Sequence, residues 1–305
     1  MIYDIAVIGS GPAGLTAAIY AQRYNMKAVV FGNKPGGLMT ENPFIENYPG
    51  FKLVDGAKLG EEMVDHAKGL GAEMVAENVK EVKKKDGLFT LKTEWDTSYQ
   101  AKTLLLAHGL KSRKLGAKNE EKFWGKGISG CATCDAAFFK DKVTGVVGGG
   151  DSAGVAALIV REFAKKVYLI YRRDKFFRMQ PPYVDKIMKD KKIEVIFQEN
   201  VKEFYGKEKL EGVKLEGGRE LPLDGFFIEI GFEPEIPYTL SFKLELDDKG
   251  FIKVKRDQST SELGVFAAGD ITTESNMFHQ IATAISEGAI AADSAYIHTL
   301  KHSGK

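Results

Sequence analysis

Ile2-Tyr3-Asp4-Ile5-Ala6-Val7-Ile8-Gly9-Ser10-Gly11-Pro12-Ala13-Gly14 stands at the head of the chain, and its reading decides the fold. The run from Ile2 to Ile8 is apolar and rich in β-branched residues, so it predicts a strand, and a helical pattern follows from Leu15 to Tyr24. Strand, glycine turn and helix in this order open a dinucleotide-binding βαβ unit. Gly9 allows the tight turn, Gly11 the close approach of a pyrophosphate, and Gly14 the contact of helix with strand. The phosphates would meet the free amides at the helix N-terminus. The next strand, Ala28 to Phe31, ends in Phe31-Gly32-Asn33, where an acid to hold the ribose hydroxyls is expected and absent.

The same pattern recurs. Val143 to Val147 reads as a strand, Gly148-Gly149-Gly150-Asp151-Ser152-Ala153 as its turn, and a helix runs on to about Ala164. Two fingerprints, each at the head of its own segment, imply two separate nucleotide sites. In the second, the following strand, Val167 to Tyr171, ends in Arg172-Arg173 instead of an acid. Arginine there suits the 2′-phosphate of NADP, and a solvated strand end is the plainer alternative. Arg178 is close enough in sequence to add a third charge.

Between the fingerprints, Lys34 to Thr40 and Ile45 to Phe51 hold so many turn formers that irregular backbone is expected, set against a ligand or simply on the surface. A helix over about Ala57 to Gly69 carries Leu59, Met63, Val64, Ala67 and Leu70 along one side. Strand patterns through Met74-Val75, Val79 to Val82, Leu88 to Leu91 and Leu104 to Ala107 predict a meander that covers the βαβ core without extending it. After the second fingerprint, Pro181-Pro182 can open a helix. Further strands are expected at Ile193 to Phe197, Val213 to Leu215 and Phe226 to Ile230. Gly231-Phe232-Glu233-Pro234 reads as a hinge. Val265 to Asp270 predicts a strand ending in Gly-Asp, where Asp270 takes a sugar hydroxyl or merely forms a turn. The final helix, about Gln280 to His298, is expected to be a buried core element.

Cys131-Ala132-Thr133-Cys134-Asp135 lies just ahead of the second fingerprint and contains the only two cysteines of the 305 residues. A zinc site needs two more ligands, and the five histidines, His66, His108, His279, His298 and His302, are scattered, so no metal is expected. Two such close cysteines followed by an acid point to redox chemistry.

A hydrophobic share of 44%, 33 glycines and a net charge of +1 describe an ordinary globular chain long enough for two domains. Its lysine runs are balanced by nearby acids, which argues against a nucleic-acid partner. Neither a membrane span nor a targeting segment is read from the sequence, so a cytoplasmic address is the default expectation.

With Cys-Ala-Thr-Cys-Asp at 131–135, the paired fingerprints, Arg172-Arg173, Asn47-Tyr48-Pro49-Gly50 and Val265 to Asp270 in this order, the sequence resembles the low-molecular-weight thioredoxin reductases over essentially its whole length. The resemblance implies an α/β protein with two Rossmann-like, three-layer nucleotide-binding domains, the NADPH domain inserted in a split FAD domain. The parts would be 1–111 and 235–305 for FAD and 112–234 for NADPH and the cysteine pair. It implies that Gly9, Gly11, Pro12, Ala13, Gly14, Gly36, Gly37, Leu38, Asn47, Asp270, Gln280 and Ile281 hold FAD, and that Gly150, Asp151, Ser152, Arg172, Arg173 and Arg178 hold NADPH. Cys134 would face the flavin, Cys131 would attack the partner's disulfide, and Asp135 would protonate the outgoing thiolate. The implied enzyme is a homodimeric NADPH-dependent thioredoxin-disulfide reductase acting on thioredoxin or a thioredoxin-like protein. The alternatives are a flavin-dependent dithiol oxidase or a reductase using another donor. Three departures stand out. His108 replaces a threonine, Phe176-Phe177 lengthens the segment before Arg178 and shifts its register, and Gly154-Val155-Ala156-Ala157 replaces an acidic stretch of the second fingerprint helix.

Overall fold

The computed structural model describes residues 1–302. Its contacts divide the chain into two compact units, Met1–Lys111 with Pro234–Lys305, and Ser112–Glu233.

The chain begins with β1 (Ile2–Ile8), α1 (Pro12–Arg23), β2 (Ala28–Phe31), α2 (Gly56–Gly69), β3 (Glu73–Val75), β4 (Val79–Lys85), β5 (Leu88–Thr93) and β6 (Ser98–Leu106). It crosses into the second unit at β7 (Lys111–Ser112). There follow α3 (Glu120–Phe123), β8 (Ile128–Ser129), α4 (Ala132–Asp135), β9 (Val143–Val147), α5 (Asp151–Phe163), β10 (Lys166–Tyr171) and α6 (Pro181–Lys189). Then come β11 (Ile193–Phe197), β12 (Val201–Tyr205), β13 (Gly212–Leu215), β14 (Glu220–Pro222), β15 (Gly225–Ile228) and β16 (Phe232–Glu233), which pairs with β7. Back in the first unit lie β17 (Thr239–Leu240), β18 (Val265–Ala267) and the long α7 (Ile281–His302). The return is close to the exit, for Lys111 Nζ and Glu235 Oε1 form an ion pair at 2.7 Å.

The first unit is built on one sheet ordered β17-β4-β5-β6-β1-β2-β3, with β18 also paired to β6. Strands β3, β2, β1, β6 and β18 run parallel. Because both faces of β1 are covered from Ile5 to Ile8, odd and even residues there are alike apolar. Ile5 and Val7 pack with α1, α2 and α7, while Ala6 and Ile8 pack with Val82, Phe89 and Leu91 of the meander. The meander therefore covers the core as its sequence suggests, with one correction. β3 adds to the parallel sheet beside β2, and the end of β6 lies parallel between β1 and β18, so these two strands extend the sheet.

The second unit repeats the plan. Its sheet, ordered β11-β10-β9-β15-β8, is parallel throughout. One face carries α5 and α6 over Val146, Val167 and Leu169. The other carries the antiparallel β12-β13-β14 sheet over Val147, Ile170 and Phe226. Two three-layer α/β units, one inserted into the other along the chain, are thus formed. The strands β12 and β14 have no counterpart in the sequence reading.

The C-terminal helix also differs from expectation. It buries Ala284, Glu287, Ala291, Ala292 and Ala295, but Ile290, Ile297 and Leu300 are exposed on its outer side. One face is core and the other is open. No helix among the described residues is long and apolar enough to cross a membrane.

Candidate nucleotide sites and redox disulfide

In the first unit the predicted FAD residues converge at the C-terminal edge of the parallel strands. Gly9 has φ +116°, and a Cβ there would stand 2.2 Å from the Ala107 carbonyl oxygen, so only glycine fits between β1 and the end of β6. A Cβ on Gly14 would meet the Gly9 carbonyl oxygen at 1.9 Å, which is the tight helix-strand contact the fingerprint requires. Gly11 is the N-cap of α1, no side chain caps that helix, and Pro12 lies in its first turn. The amides are therefore left for an anion.

The second glycine cluster meets the first. A Cβ on Gly37 would approach Gly11 Cα to 2.9 Å, and Gly36 N donates to Ser10 O at 2.8 Å. Leu38 follows in a 3₁₀ turn over Gly37–Glu41. On the other side of the turn, Ala13 touches the Gly269 position, where a Cβ would meet Ala13 Cβ at 3.1 Å. Asn47 Nδ2 donates to Gln280 Oε1 at 2.9 Å, bringing two predicted ligands distant in sequence into contact at the start of α7, next to Ile281. Asp270 follows Gly269, and burial raises its pKa against an opposing effect of His279 and a reinforcing one of Glu287.

Two features of this edge escaped the sequence. Buried Glu287 accepts from Gly269 N at 2.7 Å and Thr272 Oγ1 at 3.1 Å, and also from the Ser275 hydroxyl, so it moors the loop that presents Asp270. An acid within a mostly apolar helix that also carries Asp293 was its only signal. Tyr238 Oη lies 2.8 Å from His108 Nδ1. Burial lowers the His108 pKa to about 4, outweighing the opposing pull of the Glu235 backbone and carboxylate. The Tyr238 hydroxyl is itself pushed well above its ordinary value by burial.

The second unit carries the other turn. Gly150 is the N-cap of α5, again with no side-chain cap, and a Cβ on it would meet nothing within 4 Å. The helix N-terminus is thus open, with Ser152 exposed in its first turn. The Asp151 carboxylate is engaged from one residue: Gln180 N donates to Oδ1 at 2.7 Å and Gln180 Nε2 to Oδ2 at 2.6 Å. This staple, with a bridge between Gly150 and Arg178, brings Arg178 to the turn despite the lengthened segment. Arg172 and Arg173 follow β10 and are exposed. Tyr171 lies on the turn itself, for a Cβ on Gly149 would come within 2.0 Å of its ring. The substituted Gly154 packs under Met179, whose sulfur stands 3.1 Å from a Cβ at that position.

Cys131 and Cys134 are joined in a disulfide with Cα atoms 5.4 Å apart. Cys131 is the N-cap of α4, and Cys134 N points at its sulfur at 3.2 Å. Ala132 and Ala136 seat this turn in the same helix-side core as α5. Cys134 is exposed and Cys131 half-buried. Asp135, with Ser129, Phe138, Phe139, Lys142 and others, lines a cavity of about 300 Å³. Among the described residues, no three His, Cys, Asp or Glu side chains gather in a way that would hold a metal.

Two glycine turns with open helix ends and a bonded cysteine pair define the class, and residues 3–288 match the pyridine nucleotide-disulphide oxidoreductase family, to which this chain belongs. Within it, the relatives are thioredoxin reductases. That of Mycoplasma genitalium is 40% identical over 297 residues, 95% of this chain and 93% of the relative. That of Listeria monocytogenes is 39% identical over 312 residues, 99% and 96% of the two chains. The crystal structure of the Lactococcus lactis thioredoxin reductase superposes with a TM-score of 0.91 at 34% identity, covering 98% of this chain and 99% of the other. The resemblance read from the sequence motifs is thus borne out, and with it the α/β class of two Rossmann-like domains.

Proposed function

We propose that this chain is an NADPH-dependent thioredoxin-disulfide reductase, a cytoplasmic homodimeric flavoprotein that reduces the disulfide of thioredoxin or a thioredoxin-like protein. The observation that carries the reading is the Cys131–Cys134 disulfide in a unit that also holds an open nucleotide turn bridged to Arg178. Gly9, Gly11, Pro12, Ala13, Gly14, Gly36, Gly37, Leu38, Asn47, Asp270, Gln280 and Ile281 hold FAD. Gly150, Ser152, Arg172, Arg173 and Arg178 hold NADPH, and Asp151 shapes that site through Gln180. The glycines fit these groups, since a side chain on Gly9 or Gly37 would fill the space beside Gly11, Ala107 and the first turn of α1. Bound FAD supplies the passage of an electron pair from nicotinamide to disulfide.

The protein's own residues do the rest. Two electrons and two protons break the Cys131–Cys134 bond and leave two thiols. The Cys131 thiolate is favoured by the Cys134 amide that faces its sulfur. It attacks the partner's disulfide, forms a mixed disulfide and expels one partner sulfur, which Asp135 protonates. Cys134 then attacks the Cys131 sulfur, frees the second partner thiol and restores the internal bond. A dithiol that cycles in this way belongs in a reducing compartment. The outer face of α7, with Ile290, Ile297 and Leu300 exposed, suits a second copy of the chain. The dithiol oxidase is not favoured by the relatives, which are thioredoxin reductases.

Anaerobic titration of the yellow protein with NADPH tests the reading. Flavin absorbance is expected to bleach and to return on adding oxidised thioredoxin. A colourless protein, or a reduced one that thioredoxin leaves bleached, overturns it.

A further inference from the structure

Lys175 and Phe177 lie beside the arginines assigned to NADPH and have no role so far. Arg172, Arg173, Lys175 and Arg178 are all exposed, and none has a carboxylate partner among the described residues. Lys166, at the start of the preceding strand β10, is by contrast paired with Glu194 at 2.6 Å. Both ends of the segment are pinned. Gln198 N donates to Arg173 O at 3.1 Å, and Arg178 is bridged to Gly150.

Within it, the two phenylalanines divide. Phe176 is held by the interior, stacked on Tyr171 at 5.7 Å and edge-on to Phe197 at 5.0 Å. Phe177 is 53% exposed and is held by cations: Arg173 Cζ lies 5.2 Å and Lys175 Nζ 5.3 Å from its ring centroid. A ring gathers positive groups through its quadrupole. Two like charges on one ring repel each other, and an anion set between them relieves that repulsion.

We propose that Phe177 is a specificity-determining positioning residue and Lys175 a direct ligand. The ring holds Arg173 and Lys175 together so that, with Arg172 and Arg178, they take the 2′-phosphate of NADP(H) and select it over NAD(H). The inference rests on the NADPH reading above and adds to it how the lengthened segment reaches the phosphate.

Calorimetric titration of the FAD-loaded enzyme with 2′,5′-ADP and with 5′-AMP measures the preference without turnover. Phe177→Leu keeps apolar bulk and removes the π face. It is expected to weaken 2′,5′-ADP about fivefold, as expected for one lost cation–π contact, and to leave 5′-AMP unchanged. Phe177→Trp is expected to retain the preference. Lys175→Ala is expected to weaken 2′,5′-ADP by about tenfold with 5′-AMP again unchanged. If the unaltered enzyme binds 2′,5′-ADP no better than 5′-AMP, the NADPH reading itself falls. If it prefers 2′,5′-ADP and that preference survives either Phe177→Leu or Lys175→Ala, this proposal alone falls.

Discussion

His108 is neutral in the fold because its ring is buried against Tyr238, and that has a measurable cost in acid. Its folded pKa of about 4 lies below the ordinary histidine value of 6.5. Above pH 6.5 both states are neutral there and the stabilisation is fully present. As pH falls toward 4 the unfolded chain takes up the proton first, and stability is lost. Denaturation in urea at pH 7.5 and 4.5 is expected to show a loss roughly 2 kcal/mol greater in the native protein than in His108→Asn. Tyr238→Phe strips the ring nitrogen of its partner and is expected to cost about 1–3 kcal/mol at neutral pH. The sequence shows His108 at a strand end, but Tyr238 lies 130 residues away, and no local pattern joins them. The cysteines were legible because chemistry there depends on adjacent residues. Cys131→Ser and Cys134→Ser are each expected to lower thioredoxin reduction by several orders of magnitude, since the pair acts as a unit, while the flavin absorbance stays.

Each βα turn is an element that either fits or fails. Gly9→Ala would force a side chain to φ +116° and within 2.2 Å of the Ala107 carbonyl oxygen. It is expected to destabilise the fold by roughly 2–4 kcal/mol and to yield colourless protein, checked by denaturation and the visible spectrum. Both turns were readable because strand, glycines and helix follow one another directly. Partnership between strands was less so. β6 shows a mixed pattern at first and then Leu104, Leu105 and Leu106 all buried, the mark of a strand covered on both faces. One edge pairs in parallel with β1 from Gln100 to Leu106, while the other pairs antiparallel with β5 at first and in parallel with β18 at the end, a change of company that periodicity alone does not reveal. The whole of α7 reads as core for a related reason. Ala284, Gly288, Ala291, Ala292 and Ala295 are buried while Ile290 and Ile297 are exposed, and apolar character alone does not tell which side α1 covers.

For the molecule as a whole, the proposed homodimer places its seam on the open side of α7. Ile297→Glu, placed among Ile290 and Leu300 on that exposed face, is then expected to shift the sedimenting species from dimer to monomer in analytical ultracentrifugation with little change in monomer stability. The ion pair between Lys111 and Glu235 has a different consequence. Since the chain leaves the first unit and comes back to it at nearly one point, residues 112–233 are an insertion in an otherwise continuous unit. Excising them and splicing Lys111 to Pro234 through a few glycines, each spanning about 3.5 Å, should leave a miniature yellow protein that still colours but has lost both its fuel port and its sulfurs.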